Sequence, residues 1–249
     1  HRVEFLEYFR DYYTMVSDEA KKASTKAYLL GGHDDYTRTI ALLDVLHQHK
    51  VSIRPLTENV EMQGKVFKAN EAFVLLTEEN HPRFLEAAFE ERTTFTDSTF
   101  YDVSAWSLQH AFGVPLVKIG SREIRNLKYG EAIESLPAKR GETVESANST
   151  PIGYIISWDD FESAKVLLRL QKAGMIMKVA TEAFELNTAE GLLPYDEGSI
   201  LIPFAMQGMN EDDFKEHIQK AIEGTNVIAY EAASGLTPSG IDLGSRGFE

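Results

Sequence analysis

Lys26-Ala-Tyr-Leu-Leu30, Gly31-Gly-His-Asp-Asp35, the run from Tyr36 to Lys50 and then Val51-Ser-Ile-Arg-Pro-Leu56 together decide how the fold is read. The first piece is short, apolar and aromatic, as a strand is, and the Gly-Gly pair after it marks a turn. In the third piece Ile40, Leu43 and Leu46 recur three apart, which puts them on one face of a helix, with Asp34 or Asp35 placed to cap its first turn. The fourth piece resumes a strand. Strand, helix and strand in that order predict a parallel sheet with helices packed on it.

The alternation continues outward. Phe73-Val-Leu-Leu76 reads as a strand and Pro82 to Glu90 as a helix with proline in its first turn; Val114-Pro-Leu-Val117 completes this half. Residues 120–150 are polar, mixed in charge and aperiodic, and read as an excursion or linker. Beyond them come strand Gly153-Tyr-Ile-Ile156, helix Asp159 to Ala173, strands Met177-Lys-Val-Ala180 and Ser199-Ile-Leu-Ile202, helix Asp212 to Ile222 and strand Val227-Ile-Ala-Tyr230. Asp159 and Glu162 have the spacing of an acidic capping box. Ahead of everything, Val3, Leu6, Phe9, Tyr13 and Val16 form the apolar stripe of an amphipathic helix expected to dock on the body. The expected architecture is a three-layer, doubly wound, mostly parallel α/β sheet: a connector helix over 1–24, then one domain over 25–249 whose halves, 25–119 and 151–249, are joined by the excursion. No repeat of fixed period and no low-complexity block is visible.

Composition excludes several classes. The net charge of -14, from 39 acidic and 25 basic residues, disfavours nucleic acid and anionic membranes as partners. There is no cysteine, which removes disulfides, thiolate zinc sites and cysteine nucleophiles together. No apolar stretch reaches the ~20 residues that span a bilayer. The chain opens on His1, which reads as a fragment of something longer.

The glycine-rich tail, Ser234 to Glu249, follows the strand Val227 to Tyr230. It reads either as a frayed end or as an ordered loop at the strand-end edge where open α/β sheets hold ligands. In the ordered case Leu236 and Leu243 are expected to tuck under it near Trp158 and Asp159. Other chemistry is weakly supported. His1-Arg-Val-Glu4 has zinc-ligand spacing but no rigid frame, and His47 and His49 point to different sides of a helix. No Gly-x-Ser-x-Gly elbow exists; Ser104 and Ser157, each close to an aspartate, are the nearest approaches to a serine nucleophile. What remains is a set of polar and aromatic residues expected at strand ends: His33, Asp34, Asp102, Ser104, Trp158, Asp159, Glu182 with Phe184, Gln207 and Ser234. In a parallel sheet these converge on one edge as a groove for a small polar ligand or peptide.

Several ordered segments carry a resemblance: Tyr8-Phe-Arg-Asp-Tyr-Tyr13, Tyr101-Asp-Val-Ser-Ala-Trp-Ser-Leu108 with Phe112-Gly-Val-Pro115, Tyr154-Ile-Ile-Ser-Trp-Asp159, Val179-Ala-Thr-Glu182, Ile200-Leu-Ile-Pro203, and Ser234-Gly-Leu-Thr-Pro with Asp242-Leu-Gly-Ser245. Taken together, in order, they resemble the region after the catalytic domain of large bacterial zinc carboxypeptidases. The resemblance implies a domain similar in fold to class I glutamine amidotransferases and flavodoxin, and an upstream metallocarboxypeptidase domain as partner. It also implies secretion or a periplasmic location. The amidotransferase cysteine and the carboxypeptidase ligand set are both missing from this chain, so no catalytic residue carries over; zinc belongs to the parent's catalytic domain. The expectation is a non-catalytic accessory domain, with a peptide- or saccharide-binding module, or an independent serine hydrolase, as the alternatives.

Overall fold

A computed structural model describes residues 1–32, 35–91, 107–146 and 150–249. The chain forms two compact units, His1–Pro137 and Ala138–Glu249.

In the first unit, helix α1 (Arg2–Lys22) leads into strand β1 (Thr25–Gly31), then helix α2 (Tyr36–Gln48) and the short strand β2 (Arg54–Pro55). Asp35 caps α2, its carboxylate accepting from the Arg38 amide at 3.0 Å. A hairpin follows, β3 (Val60–Met62) and β4 (Lys65–Phe67), turning on Gln63 and Gly64, both with positive φ (53° and 73°) as a two-residue hairpin turn requires. Strand β5 (Ala72–Leu76), helices α3 (Pro82–Ala88) and α4 (Leu108–Phe112) and strand β6 (Leu116–Gly120) complete it. The sheet order is β2-β5-β1-β6.

The second unit adds β7 (Glu142–Val144), then β8 (Gly153–Ile156), α5 (Ser163–Lys172) and β9 (Lys178–Val179). A hairpin, β10 (Phe184–Thr188) and β11 (Gly191–Tyr195), precedes β12 (Ile200–Pro203), a single 3-10 turn (Phe204–Met206), α6 (Glu211–Ile222), β13 (Ile228–Ala232) and β14 (Ser239–Gly240). Its main sheet runs β7-β13-β8-β12-β9.

These sheets are not doubly wound and parallel. β1 pairs antiparallel with both β5 and β6, and β2 pairs antiparallel with β5; β8 likewise pairs antiparallel with β12 and β13, and among the described residues only β7 with β13 is parallel. The crossovers through α2 and α5 do join strands that point the same way. An antiparallel strand, β5 or β12, then inserts between them. The expectation of three layers fails for a related reason. Continuous apolar strands such as Tyr154-Ile-Ile156 report burial on both faces, which parallel sheets share with any sheet covered twice. Here helices cover one face, through Tyr28, Leu43, Leu46, Phe73 and Phe89 in the first unit and Tyr154, Leu170, Phe214 and Ile218 in the second. The other face is covered by the hairpins and irregular chain, through Phe67 and Leu127 in the one and Phe184, Leu243 and Phe248 in the other. The excursion proves partly structural, since β7 lies within it.

The two units share one order of elements: strand, helix, strand, hairpin, strand, helical segment, strand. The register agrees in detail. Tyr28 sits opposite Leu75 and Lys118, while Tyr154 sits opposite Ile202 and Glu231. Each tyrosine ring meets a phenylalanine from the helical layer, Phe89 at 5.2 Å and Phe214 at 5.7 Å. Helix α2 ends with the Val51 amide on the Leu46 carbonyl (3.1 Å) past Lys50 at φ 62°; α5 ends with Met175 on Leu170 (3.0 Å) past Gly174 at φ 73°. Isolated bridges close both units at matching places, Leu56 to Tyr129 and Ala180 to Phe248. The chain is thus an internal structural duplication. It escapes a search for sequence periodicity because burial demands apolar character at these positions and not identity.

Three local expectations also change. Val3, Leu6, Phe9 and Tyr13 are exposed, and only Val16 and Ala20 of α1 are buried. Helix α5 begins at Ser163 without a side-chain cap, Asp160 instead accepting from the Glu162 amide. Leu243 is buried as expected but Leu236 is exposed; the tail is anchored by Phe248. No helix among the described residues is long and apolar enough to cross a membrane.

The end of the first sheet is held by an ion pair. Arg54 forks onto Glu79 (2.7–3.1 Å), Ser52 donates to the same carboxylate at 2.9 Å, and Arg54 also reaches the Gly130 carbonyl at 3.0 Å. The guanidinium hydrogen bond, joined by the Ser52 hydroxyl, holds Glu79 below the usual carboxylate range against the upward push of burial. In the unfolded chain Glu79 titrates higher, so between the two values the unfolded state binds more protons. The stability it contributes is therefore present above its unfolded pKa and lost as pH falls through the lower folded one. Glu79→Gln should shrink the gap between urea midpoints at pH 6 and pH 3, with an effect of about 1 kcal/mol or less.

Candidate functional site

The strand-end groove does not assemble as a parallel sheet would have made it. His33, Asp34, Asp102 and Ser104 lie outside the described residues. In the second unit β8 and β9 point one way and β12 and β13 the other. Trp158, Asp159 and Glu182, which follow β8 and β9, therefore fall at one edge, whereas Gln207 and Ser234, which follow β12 and β13, fall at the opposite one. Each also has local work. The Ser157 hydroxyl donates to the Asp159 carboxylate and accepts from its amide, a turn motif rather than an activated nucleophile. Gln207 clamps the segment after α5, donating to the Ile176 and Pro203 carbonyls (2.8 and 2.7 Å) and accepting from the Ile176 amide at 3.0 Å. Ser234 accepts from the Leu236 amide. Trp158 shields Gly198, and Glu182 is exposed.

A better-formed recess of about 460 Å³ lies in the first unit, at the edge of the sheet where β5 ends. Its floor is Tyr28 of β1, Thr77 just past β5 and Lys118 of β6; its walls are Arg83 and Glu86 of α3 and Glu19 near the end of α1. The register explains the floor, since Tyr28 and Lys118 are direct cross-strand partners and share the sheet's helical face. One wall is fixed by Arg83, which donates to both oxygens of Glu19 (2.9 and 2.7 Å) and lies over the Tyr12 ring; Tyr12 in turn contacts His81 at 3.1 Å. The Arg83–Glu19 hydrogen bond holds Glu19 below the usual carboxylate range and raises Arg83 further.

The remaining polar groups are uncommitted. Lys118 and Glu86 make no ion pair with the described residues, and the Thr77 hydroxyl is buried without a hydrogen-bond partner. Burial, followed by the Glu86 carboxylate, raises the Tyr28 phenol above its ordinary range. The same place in the second unit is closed: Tyr154 is fully buried, and its partner in the register is the buried Glu231. Burial and neighbouring carboxylates raise the Tyr154 phenol still further.

Sequence reading misses this recess because its residues come from five separate segments, and because in an antiparallel sheet the carboxyl ends of β5 and β6 share an edge with the amino end of β1. The usable signal is Tyr28 facing a lone lysine across an edge strand, which needs the antiparallel register to be seen. Among the described residues no group of three or more histidine, cysteine or carboxylate side chains is placed to hold a metal. The histidines are dispersed: His81 on Tyr12, His110 on Glu91, His217 on the Asp213 carbonyl. No protein-family model matches this chain, and comparison with curated proteins and with solved structures finds no match.

Proposed function

We propose that the chain is a non-catalytic accessory domain of a secreted zinc carboxypeptidase, and that it serves the parent by holding the charged end of a peptide. The ordered resemblance supports the first half of this reading; the parent's reaction, hydrolysis of a carboxy-terminal peptide bond by zinc-activated water, belongs to the upstream domain. The observation that carries the second half is the recess in which Lys118 and Glu86, neither in an ion pair with a described residue, stand beside the Tyr28 hydroxyl. A cation and a phenol hydroxyl suit a peptide carboxylate, and the nearby Glu86 selects against a second negative charge. A saccharide would use the hydroxyl but leave Lys118 without a counter-charge.

Calorimetric titration of the purified chain with a short peptide, its carboxy-terminal amide and a neutral trisaccharide tests this. The free peptide should bind at least about tenfold more tightly than the amide, the size of one charge-assisted hydrogen bond, and Lys118→Ala should erase the difference. No heat from the free peptide at millimolar concentration, or equal binding of the amide, overturns the peptide reading. Stoichiometric zinc after dialysis together with peptide turnover by this chain alone overturns the non-catalytic one.

A further inference from the structure

Leu6, Phe9, Tyr13, Val16 and Ala20 are spaced alternately three and four apart, the repeat that lets two helices pack side by side along one seam. The last two are buried against the body of the first unit, whereas Leu6, Phe9 and Tyr13 are 61%, 57% and 52% exposed. Val3 and Phe5 flank the open stretch at 66% and 74% exposure. On the far side, Glu4, Asp11 and Asp18 recur seven apart, opposite the apolar seam that runs from Leu6 to Ala20. The seam that docks the end of α1 on its own body thus runs on, uncovered, for about three turns. Such a stretch is marginal as a lone helix in water.

We propose that this open seam is covered by the α1 helix of a second copy of the same chain. Large side chains carry roughly 150–250 Å² each, so the uncovered parts of Val3, Phe5, Leu6, Phe9 and Tyr13 amount to roughly 500–600 Å². Two such faces together reach the roughly 1,000 Å² that a specific interface needs. Electrostatics permits it: the chain carries a charge of -14, yet residues 1–15 hold Arg2 and Arg10 against Glu4, Glu7 and Asp11. The self-repulsion lies elsewhere. An antiparallel arrangement centred between Glu7 and Tyr8 sets Leu6 of each helix against Phe9 of the other. It ends each helix opposite the other's Tyr13, just before Val16 turns into its own body.

Analytical ultracentrifugation of the full chain over a concentration series reads the oligomeric state. A dimer is expected for the unsubstituted chain, weakened at least about a hundredfold in Leu6→Asp/Phe9→Asp, since central apolar anchors carry most of such an interface. The body's thermal transition should be unchanged in that variant because both positions are exposed. A monomer at 100 µM, the outcome if the seam instead serves another domain or a foreign partner, overturns the proposal. So does a dimer that the double substitution leaves intact.

Discussion

Replacing Phe248 with alanine will cost the second unit about 3–5 kcal/mol, the range for emptying a buried aromatic site. Phe248 is 2% exposed although it is the penultimate residue of the chain. Its ring meets Phe184 at 5.3 Å, edge to face, within the cluster that also holds Ile155, Leu201 and Tyr195. The backbone around it is paired as well: the Val179 and Glu249 amides and carbonyls exchange hydrogen bonds at 2.8 and 3.1 Å, and the Thr181 amide donates to Gly247 at 2.9 Å. Deleting residues 239–249 should therefore be at least as damaging. Urea unfolding followed by near-ultraviolet circular dichroism reads the change; a midpoint unmoved by Phe248→Ala would show the tail to be frayed.

Gly153→Ala should destabilise by about 1–3 kcal/mol, the cost of overpacking a closed core. A Cβ there would collide with the Ile202 carbonyl oxygen, a backbone atom that cannot swing away. The duplication supplies the control, because the matching position in the first unit is Ala27, fully buried and without conflict. Ala27→Gly should consequently cost less, by the loss of one methyl group and some strand stiffness. Equal melting temperatures for Gly153→Ala and the unsubstituted chain would refute the close approach.

The elements of this fold are legible in the chain because each is written locally. Tyr36 to Lys50 and Asp212 to Ile222 declare themselves by apolar spacing, and Gly153 to Ile156 by an unbroken apolar run between turn residues. Pairing is not local. Whether β1 takes β2 or β5 as its neighbour depends on what covers its second face, and that cover is a hairpin around Gln63 and Gly64 whose strands are too short and too exposed to stand out. The same gap hid the recess. Its members lie 19, 28, 77, 83, 86 and 118 residues along the chain, and nothing short of the antiparallel register brings Tyr28 to Lys118. The apolar stripe of α1 misled in the opposite sense, since its periodicity reports that a face is to be covered and not by what.

The closing bridges carry a consequence for biosynthesis. In the first unit the last of the paired strands among the described residues is complete by Gly120 and the bridge to Leu56 by Tyr129, both within its own span. It can settle while the rest is still being translated, as domains commonly do from the amino-terminal side. The second unit has no such freedom. Its hairpin face stays open until Phe248 has left the ribosome, and its bridge to Ala180 is then made last. A chain cut short before Phe248 would carry a finished first unit tethered to an apolar, unsealed second one, the kind of product that quality-control proteases remove.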